Sequence, residues 1–206
     1  MNADGVLIVV DVQNGFMPGG GLPVPCGHEV VPVINALARK FANVVLTQDW
    51  HPLGHASFAS SHTGKAPFET IQMSYGLQVL WPDHCVQGTH DAALHADLHI
   101  PHAQLIIRKG FHAGVDSYSA FKEADRTTST GLAAYLRARG LTKVFVCGLA
   151  TDFCVAWTAL DAQAEGFATT VVEDACRAIG MDGSLAAAWD NLVSGGVKRV
   201  HSAQIV

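Results

Sequence analysis

The sequence predicts an α/β protein built on a parallel sheet that helices cover on both faces. Three observations carry that prediction. Short apolar runs recur without the alternation of a half-exposed strand, as in Val6-Leu7-Ile8-Val9-Val10 and Val144-Phe145-Val146-Cys147. Strands buried on both faces read this way. Segments of helical period separate several of the runs, and strand–helix alternation is the signature of parallel pairing. Finally, Asp11, Asp49, Lys109 and Cys154 each stand at or just after the end of a different run. Ligands bind such sheets beyond the carboxyl ends of the strands.

In chain order, residues 5–10 form the first strand, ending at Asp11. Residues 28–41 read as a helix, with Val30, Val33, Ile34, Leu37 and Phe41 at helical spacing. Residues 43–47 are the second strand, just before Asp49. The stretch 50–88 is rich in Gly, Ser and His and carries too little periodicity for a secondary element. It holds several aromatics, and a long loop in a compact domain that is not disordered is usually functional. Residues 105–108 are the third strand, running into Lys109-Gly110. Residues 128–139 form a helix with Gly140 as its C-cap. Residues 143–147 are the fourth strand. Thr151 suits the N-cap of the next helix, 152–165, which Gly166 closes. Residues 168–172 are the fifth strand, 184–192 a short helix and 198–201 a short sixth strand. No repeat, low-complexity tract or linker divides the chain, so one domain over 1–206 is expected.

Composition excludes several function classes. The formal net charge is -5, with no basic stripe, which argues against a nucleic-acid partner. No apolar run is long enough for a membrane span. Met1-Asn2-Ala3-Asp4-Gly5 lacks the basic-then-apolar pattern of a secretory signal. The five cysteines are an odd number without framework spacing, which suggests free thiols in a reducing cytoplasm. Assembly into a homo-oligomer is left open.

Cys154 is the candidate nucleophile. About three positions after the Thr151 cap, its thiol would face the positive end of a helix dipole. The dipole and free N–H groups there would lower its pKa and could hold an oxyanion. A thiol attacking an amide needs a base, and the departing amine needs an acid. Asp11, partly desolvated at a strand end, can serve as both. Lys109 would pair the charges and favour the thiolate. The bland alternatives are a small buried Cys and a structural Asp–Lys pair. Asp49 and His51, two apart in an extended segment, point to the same side. With His84 they make a two-His, one-carboxylate set with open positions, suited to Zn²⁺, Fe²⁺ or Mn²⁺. Cys85 is a further soft ligand in principle, awkward beside His84. His62, His90, His95, His99, His102 and His112 read as surface or loop residues.

Taken together, Val10-Asp11-Val12-Gln13-Asn14-Gly15-Phe16, Gln48-Asp49-Trp50-His51-Pro52, Ser57-Phe58, Trp81-Pro82-Asp83-His84-Cys85-Val86, Lys109-Gly110 and Gly148-Leu149-Ala150-Thr151-Asp152-Phe153-Cys154-Val155 resemble the nicotinamidase/pyrazinamidase branch of the isochorismatase-like cysteine hydrolases. The resemblance implies a three-layer α/β/α sandwich with a six-stranded parallel sheet. It implies hydrolysis of nicotinamide to nicotinate and ammonia, in salvage of NAD breakdown products. The triad would be Asp11, Lys109 and Cys154. The ligands of one divalent metal, zinc first and iron or manganese otherwise, would be Asp49, His51 and His84. A cis peptide would join Leu149 to Ala150, and the N–H groups of Ala150 and Cys154 would form the oxyanion hole. In this family the metal lies near the ring nitrogen of the substrate. Phe16 and Trp81 are the candidates to hold that ring, with Tyr118 less well aligned. Some members carry another histidine ligand where Ser57 stands here, with His55 offset by two, so the ligand set beyond three residues stays open. An amidase for a different acyl group, or an inactive metal-binding scaffold, are the competing readings.

Overall fold

The computed structural model describes residues 4–206. The first strand, β1 (Gly5–Val10), is buried along its whole length, as its unbroken apolar sequence requires. A left-handed turn at Asp11, with φ 49°, ends it. Asp tolerates that conformation because its short polar side chain bonds locally. Here the Thr47 hydroxyl donates to Asp11 Oδ1 at 2.6 Å and accepts the Asp11 N–H at 3.1 Å. The first helix, α1 (Val30–Ala38), is entered through a 3-10 turn over Gly27–Glu29. It is therefore shorter than the expected 28–41, and its last residues close as a turn.

Next come β2 (Asn43–Asp49), a hairpin of β3 (Thr70–Met73) and β4 (Gly76–Val79), and β5 (Leu105–Lys109). The hairpin corrects the expectation that 50–88 holds no secondary element. Its strands are four residues each and pair antiparallel across a tight turn at Ser74-Tyr75, too short for periodicity to register. The second helix, α2 (Leu132–Ala138), begins four residues later than expected. The Asp125 carboxylate captures the Thr127 and Thr128 N–H groups and the Thr128 hydroxyl, which holds that stretch as a turn. The strand β6 (Lys143–Leu149), the helix α3 (Ala156–Ala164), the strand β7 (Ala168–Arg177), the helix α4 (Ser184–Ser194) and the strand β8 (Lys198–Val200) complete the chain. β7 runs five residues past the expected end. The register shifts where residues 172–175 of β7 stand against Cys147 alone of β6, after which Gly148 and Leu149 pair with Cys176 and Arg177. Gly148 has φ 117°, and a Cβ there would lie 2.1 Å from Val10 O, so no other residue fits.

The six long-sheet strands are all parallel, in the order β5-β2-β1-β6-β7-β8. From β1 the chain winds outward through β2 and β5, then returns to β6 and winds the other way. Crossovers between parallel strands are almost always right-handed, and by that rule their opposite directions put α1 on one face and α2, α3 and α4 on the other. Both α1 and α3 rest on β7, and the result is the expected three-layer sandwich. Where the winding reverses, between β1 and β6, a crevice opens at the carboxyl ends. No helix among the described residues is long and apolar enough to cross a membrane.

Candidate active site

The sheet brings Asp11, Lys109 and Cys154 together at that crevice. The β2–β5 register sets Asp49 beside Lys109. Lys109 is fully buried. Its Nζ lies 2.8 Å from Asp11 Oδ2, donates to Asp49 Oδ1 and to Ser117 O (3.1 Å), and lies 3.3 Å from Cys154 Sγ. One atom each of Asp11, Asp49 and Cys154 fall within 4.8 Å of one another. Burial pulls the Lys109 ammonium down, but the two carboxylates outweigh it and keep it charged, well above its ordinary value. The carboxylates then diverge. Burial pushes Asp11 up despite Lys109. Burial pushes Asp49 in the same direction, yet the Lys109 charge beside it holds it well below the usual range. The two carboxyls therefore have opposed proton affinities, Asp11 the more readily protonated and Asp49 held ionised. Apart from its ion pair with Lys109, Asp11 Oδ2 has no aligned hydrogen-bond donor, which leaves it open to take a proton.

The segment before Cys154 departs from expectation. Thr151 is not a cap. Residues Thr151–Val155 form a single π-helical turn capped by Ala150, whose carbonyl accepts the N–H groups of Phe153 and Val155, both at 3.1 Å. The Leu149–Ala150 peptide is cis, as expected. The expected lowering of the thiol pKa is reversed: burial pushes Cys154 well up, with Lys109 opposing. A dipole at a helix end is worth about 0.3–1 kcal/mol, whereas full desolvation can move a pKa by up to about 3–5 units. The resting Cys154 side chain is therefore a neutral thiol.

Asp49, His51 and His84 also converge. Asp49 Oδ2 lies 3.8 Å from His51 Nε2 and 3.7 Å from His84 Nε2, too long for hydrogen bonds. The other ring nitrogen of each histidine faces a carbonyl, Gly110 O at 3.0 Å for His51 and Pro82 O at 2.8 Å for His84. Each Nδ1 must then carry the hydrogen, and each Nε2 presents a lone pair. Three acceptor atoms face a common point with no hydrogen among them, and a divalent cation fits that donor set. His55 and Ser57 are engaged elsewhere. His55 Nδ1 accepts the Ser57 N–H at 3.1 Å and meets the Ser57 hydroxyl at 2.8 Å, and its Nε2 faces His112 O and Val115 O. Cys85 Sγ turns toward Asp91 O at 3.8 Å. The six histidines expected in loops or at the surface all lie outside the buried class.

Cys154, Asp49, His51 and His84 open onto one cleft, while Asp11 and Lys109 are fully buried beside it. Phe16, Trp81 and Tyr118 line it, as do Ala150 and Cys154. Phe16 packs on His84, and Trp81 meets Phe153 edge-on at 4.8 Å. Trp81 Nε1 donates to the Tyr118 hydroxyl at 3.0 Å. Leu22, Asp116, Phe153 and Ile179 also line the cleft and were not anticipated. Phe153 was open to inference from its place beside Cys154. The other three sit in irregular segments where spacing carries no signal.

A family model described as the isochorismatase domain matches residues 5–204. A nicotinamidase of Acinetobacter baylyi is 60% identical over 97% of this chain and 94% of its own length. Among solved structures, the Acinetobacter baumanii nicotinamidase pyrazinamidease is 61% identical, with a TM-score of 0.99 over 100% of both chains. An L. infantum protein in complex with nicotinate is 41% identical, with a TM-score of 0.88 over 100% of this chain and 96% of that one. A pyrazinamidase of Pyrococcus horikoshii in complex with zinc is 36% identical, with a TM-score of 0.79 over 96% and 99%. The chain belongs to the isochorismatase family, in its nicotinamidase and pyrazinamidase branch.

Proposed function

We propose that this chain, acting as one hydrolase domain, converts nicotinamide and pyrazinamide to the carboxylic acid and ammonia through a thioester on Cys154. The observation that carries the reading is a single cleft with two chemistries on its walls. The cleft is lined by a buried thiol, with a carboxylate and a fixed cation beside it, and by three converging metal-ligand atoms. Asp11 takes the thiol proton as Sγ bonds to the carboxamide carbon. The backbone N–H groups of Ala150 and Cys154 receive the charge that develops on oxygen. Asp11 returns the proton to nitrogen, the C–N bond breaks and ammonia leaves a thioester. Asp11 then draws a proton from water as its oxygen attacks the acyl carbon. The C–S bond breaks, the acid departs and sulfur recovers its proton. One water is consumed and no net charge moves. Lys109 stays protonated throughout and balances Asp11, Asp49 and the transient thiolate.

A divalent ion held by Asp49, His51 and His84 would act as a Lewis acid toward the ring nitrogen and draw electron density from the ring. Zinc suits the two imidazoles and one carboxylate, with iron and manganese next. Phe16, Trp81 and Phe153 would hold the flat ring. The product acid suits a role in NAD salvage. The test is ammonia release from nicotinamide by purified protein, before and after chelation and with metal returned. Release that chelation abolishes and metal restores, and that Cys154→Ala lacks, is the expected outcome. No release from metal-replete protein sinks the nicotinamide assignment. Release indifferent to verified metal removal leaves the cysteine hydrolase and removes the metal from the reaction.

A further inference from the structure

Gln13 does a job at this site that its place in the sequence does not advertise. β1 and β2 pair in parallel only as far as Val9 and Leu46. Beyond that point the left-handed turn at Asp11 carries the β1 backbone away, so Asp49 has no β1 backbone partner on that side. The Gln13 side chain fills the place. Its Oε1 accepts the Asp49 N–H at 2.8 Å, and its Nε2 donates to Asp49 O at 2.9 Å. A primary amide here mimics the missing peptide group. The remaining Nε2 hydrogen goes to Ala92 O at 2.8 Å. Gln13 is fully buried, with both hydrogens and the oxygen used.

That last bond reaches the segment carrying another ligand. Asp91, next to Ala92, accepts the Cys85 N–H on Oδ2 and the Gly21 N–H on Oδ1. Cys85 follows His84 directly. One amide thus ties the backbone of Asp49 to the loop that places His84. The Asp49 carboxylate is itself divided, Oδ1 on Lys109 and Oδ2 toward the two imidazoles. A small rotation of the Asp49 backbone would disturb both at once.

We propose that Gln13 is a positioning residue that sets Asp49 and His84 at the separation a divalent cation requires. This rests on the metal-site reading given above. The test uses Gln13→Leu, which removes the amide at similar volume, and Gln13→Glu, which keeps an acceptor for the Asp49 N–H but loses both donors. Zinc affinity is measured by competition with a chromogenic chelator, alongside Tm, kcat and KM. A control, Val144→Ala, opens a cavity in β6 at the far end of the sheet. Partners of ligating residues typically contribute about 10–100-fold in metal affinity. Gln13→Leu is expected to weaken zinc binding by at least about tenfold, and Gln13→Glu by less. The control is expected to lower Tm and leave zinc affinity unchanged. Wild-type affinity in a folded Gln13 variant overturns the inference, as does an equal affinity loss in the control. If neither Gln13 variant folds, Gln13 is a folding element and the inference also falls. A wild-type protein that binds no zinc instead defeats the metal-site reading itself, so the two failures are distinct.

Discussion

At the residue scale, chemistry at the crevice turns on one buried ammonium shared by three acidic groups. Lys109 opposes the upward push of burial on both Asp11 and Cys154. In the proposed reaction Asp11 must be ionised to take the thiol proton, so activity is expected to fall as pH drops through its raised pKa. Replacing Lys109 by Met removes the opposing charge and raises that pKa further. The acid limb of the kcat/KM profile is then expected to move to higher pH, by about 1–3 units for an adjacent charge. We also expect kcat to fall by at least about 10²-fold, the usual cost of losing a fixed group that stabilises charge developing in the reaction. A pH–rate profile of Lys109→Met checks both. An acid limb that stays in place, or moves to lower pH, removes Lys109 from the control of Asp11. The sequence made these three residues legible because each follows an apolar run that ends at the rim. It left the resting state of the thiol illegible. Spacing showed a helix start nearby, but only packing shows that Cys154 is about 6% exposed, and burial then outweighs the dipole.

At the scale of elements, function depends on how strands stop. β1 ends in a left-handed Asp11, β5 ends against Gly110 at φ 67°, and β6 passes through Gly148 at φ 117° just before it ends. Gly110 is the clearest case. A Cβ there would lie 2.4 Å from His51 Cε1 and 2.7 Å from Nδ1, while its carbonyl accepts the His51 Nδ1 hydrogen. Gly110→Ala would both strain the backbone, at about 1–2 kcal/mol for a left-handed non-glycine residue, and push His51 out of line. The expected result is a lower Tm together with zinc affinity weakened by about tenfold or more. Calorimetry and chelator competition on the same preparation check it, and unchanged zinc affinity would show that His51 is not a ligand. Long buried elements were readable because apolar runs and glycine stops are local signals. The Thr70–Val79 hairpin was not, since four-residue strands carry almost no period. The extension of β7 to Arg177 was hidden because Glu173-Asp174 looks like a strand end. There a bulge over residues 172–175 of β7 itself decides the pairing, and bulges leave little trace in sequence.

At the scale of the whole molecule, the winding reversal between β1 and β6 does the assembly. It collects residues from β1, β2, β5 and the turn after β6, which span positions 11 to 154 in sequence. Asp49 and His51 are two positions apart, but the third proposed ligand, His84, lies 33 positions beyond His51. An ion bound there would cross-link the end of β2 to the Pro82–Cys85 segment and act on the folded state only. Ligand at about 100 times its Kd adds about 2.7 kcal/mol of stability. For a chain of this size each kcal/mol raises Tm by about 2–4 °C, so saturating zinc should raise Tm by about 5–10 °C over the chelated protein. In Asp49→Ala the shift should vanish, because the carboxylate common to both imidazoles is gone. Thermal scans with and without zinc on both proteins decide the matter. A shift that survives Asp49→Ala would place the ion elsewhere, and no shift in the wild type would mean that the three acceptors bind no ion tightly enough to matter to the fold.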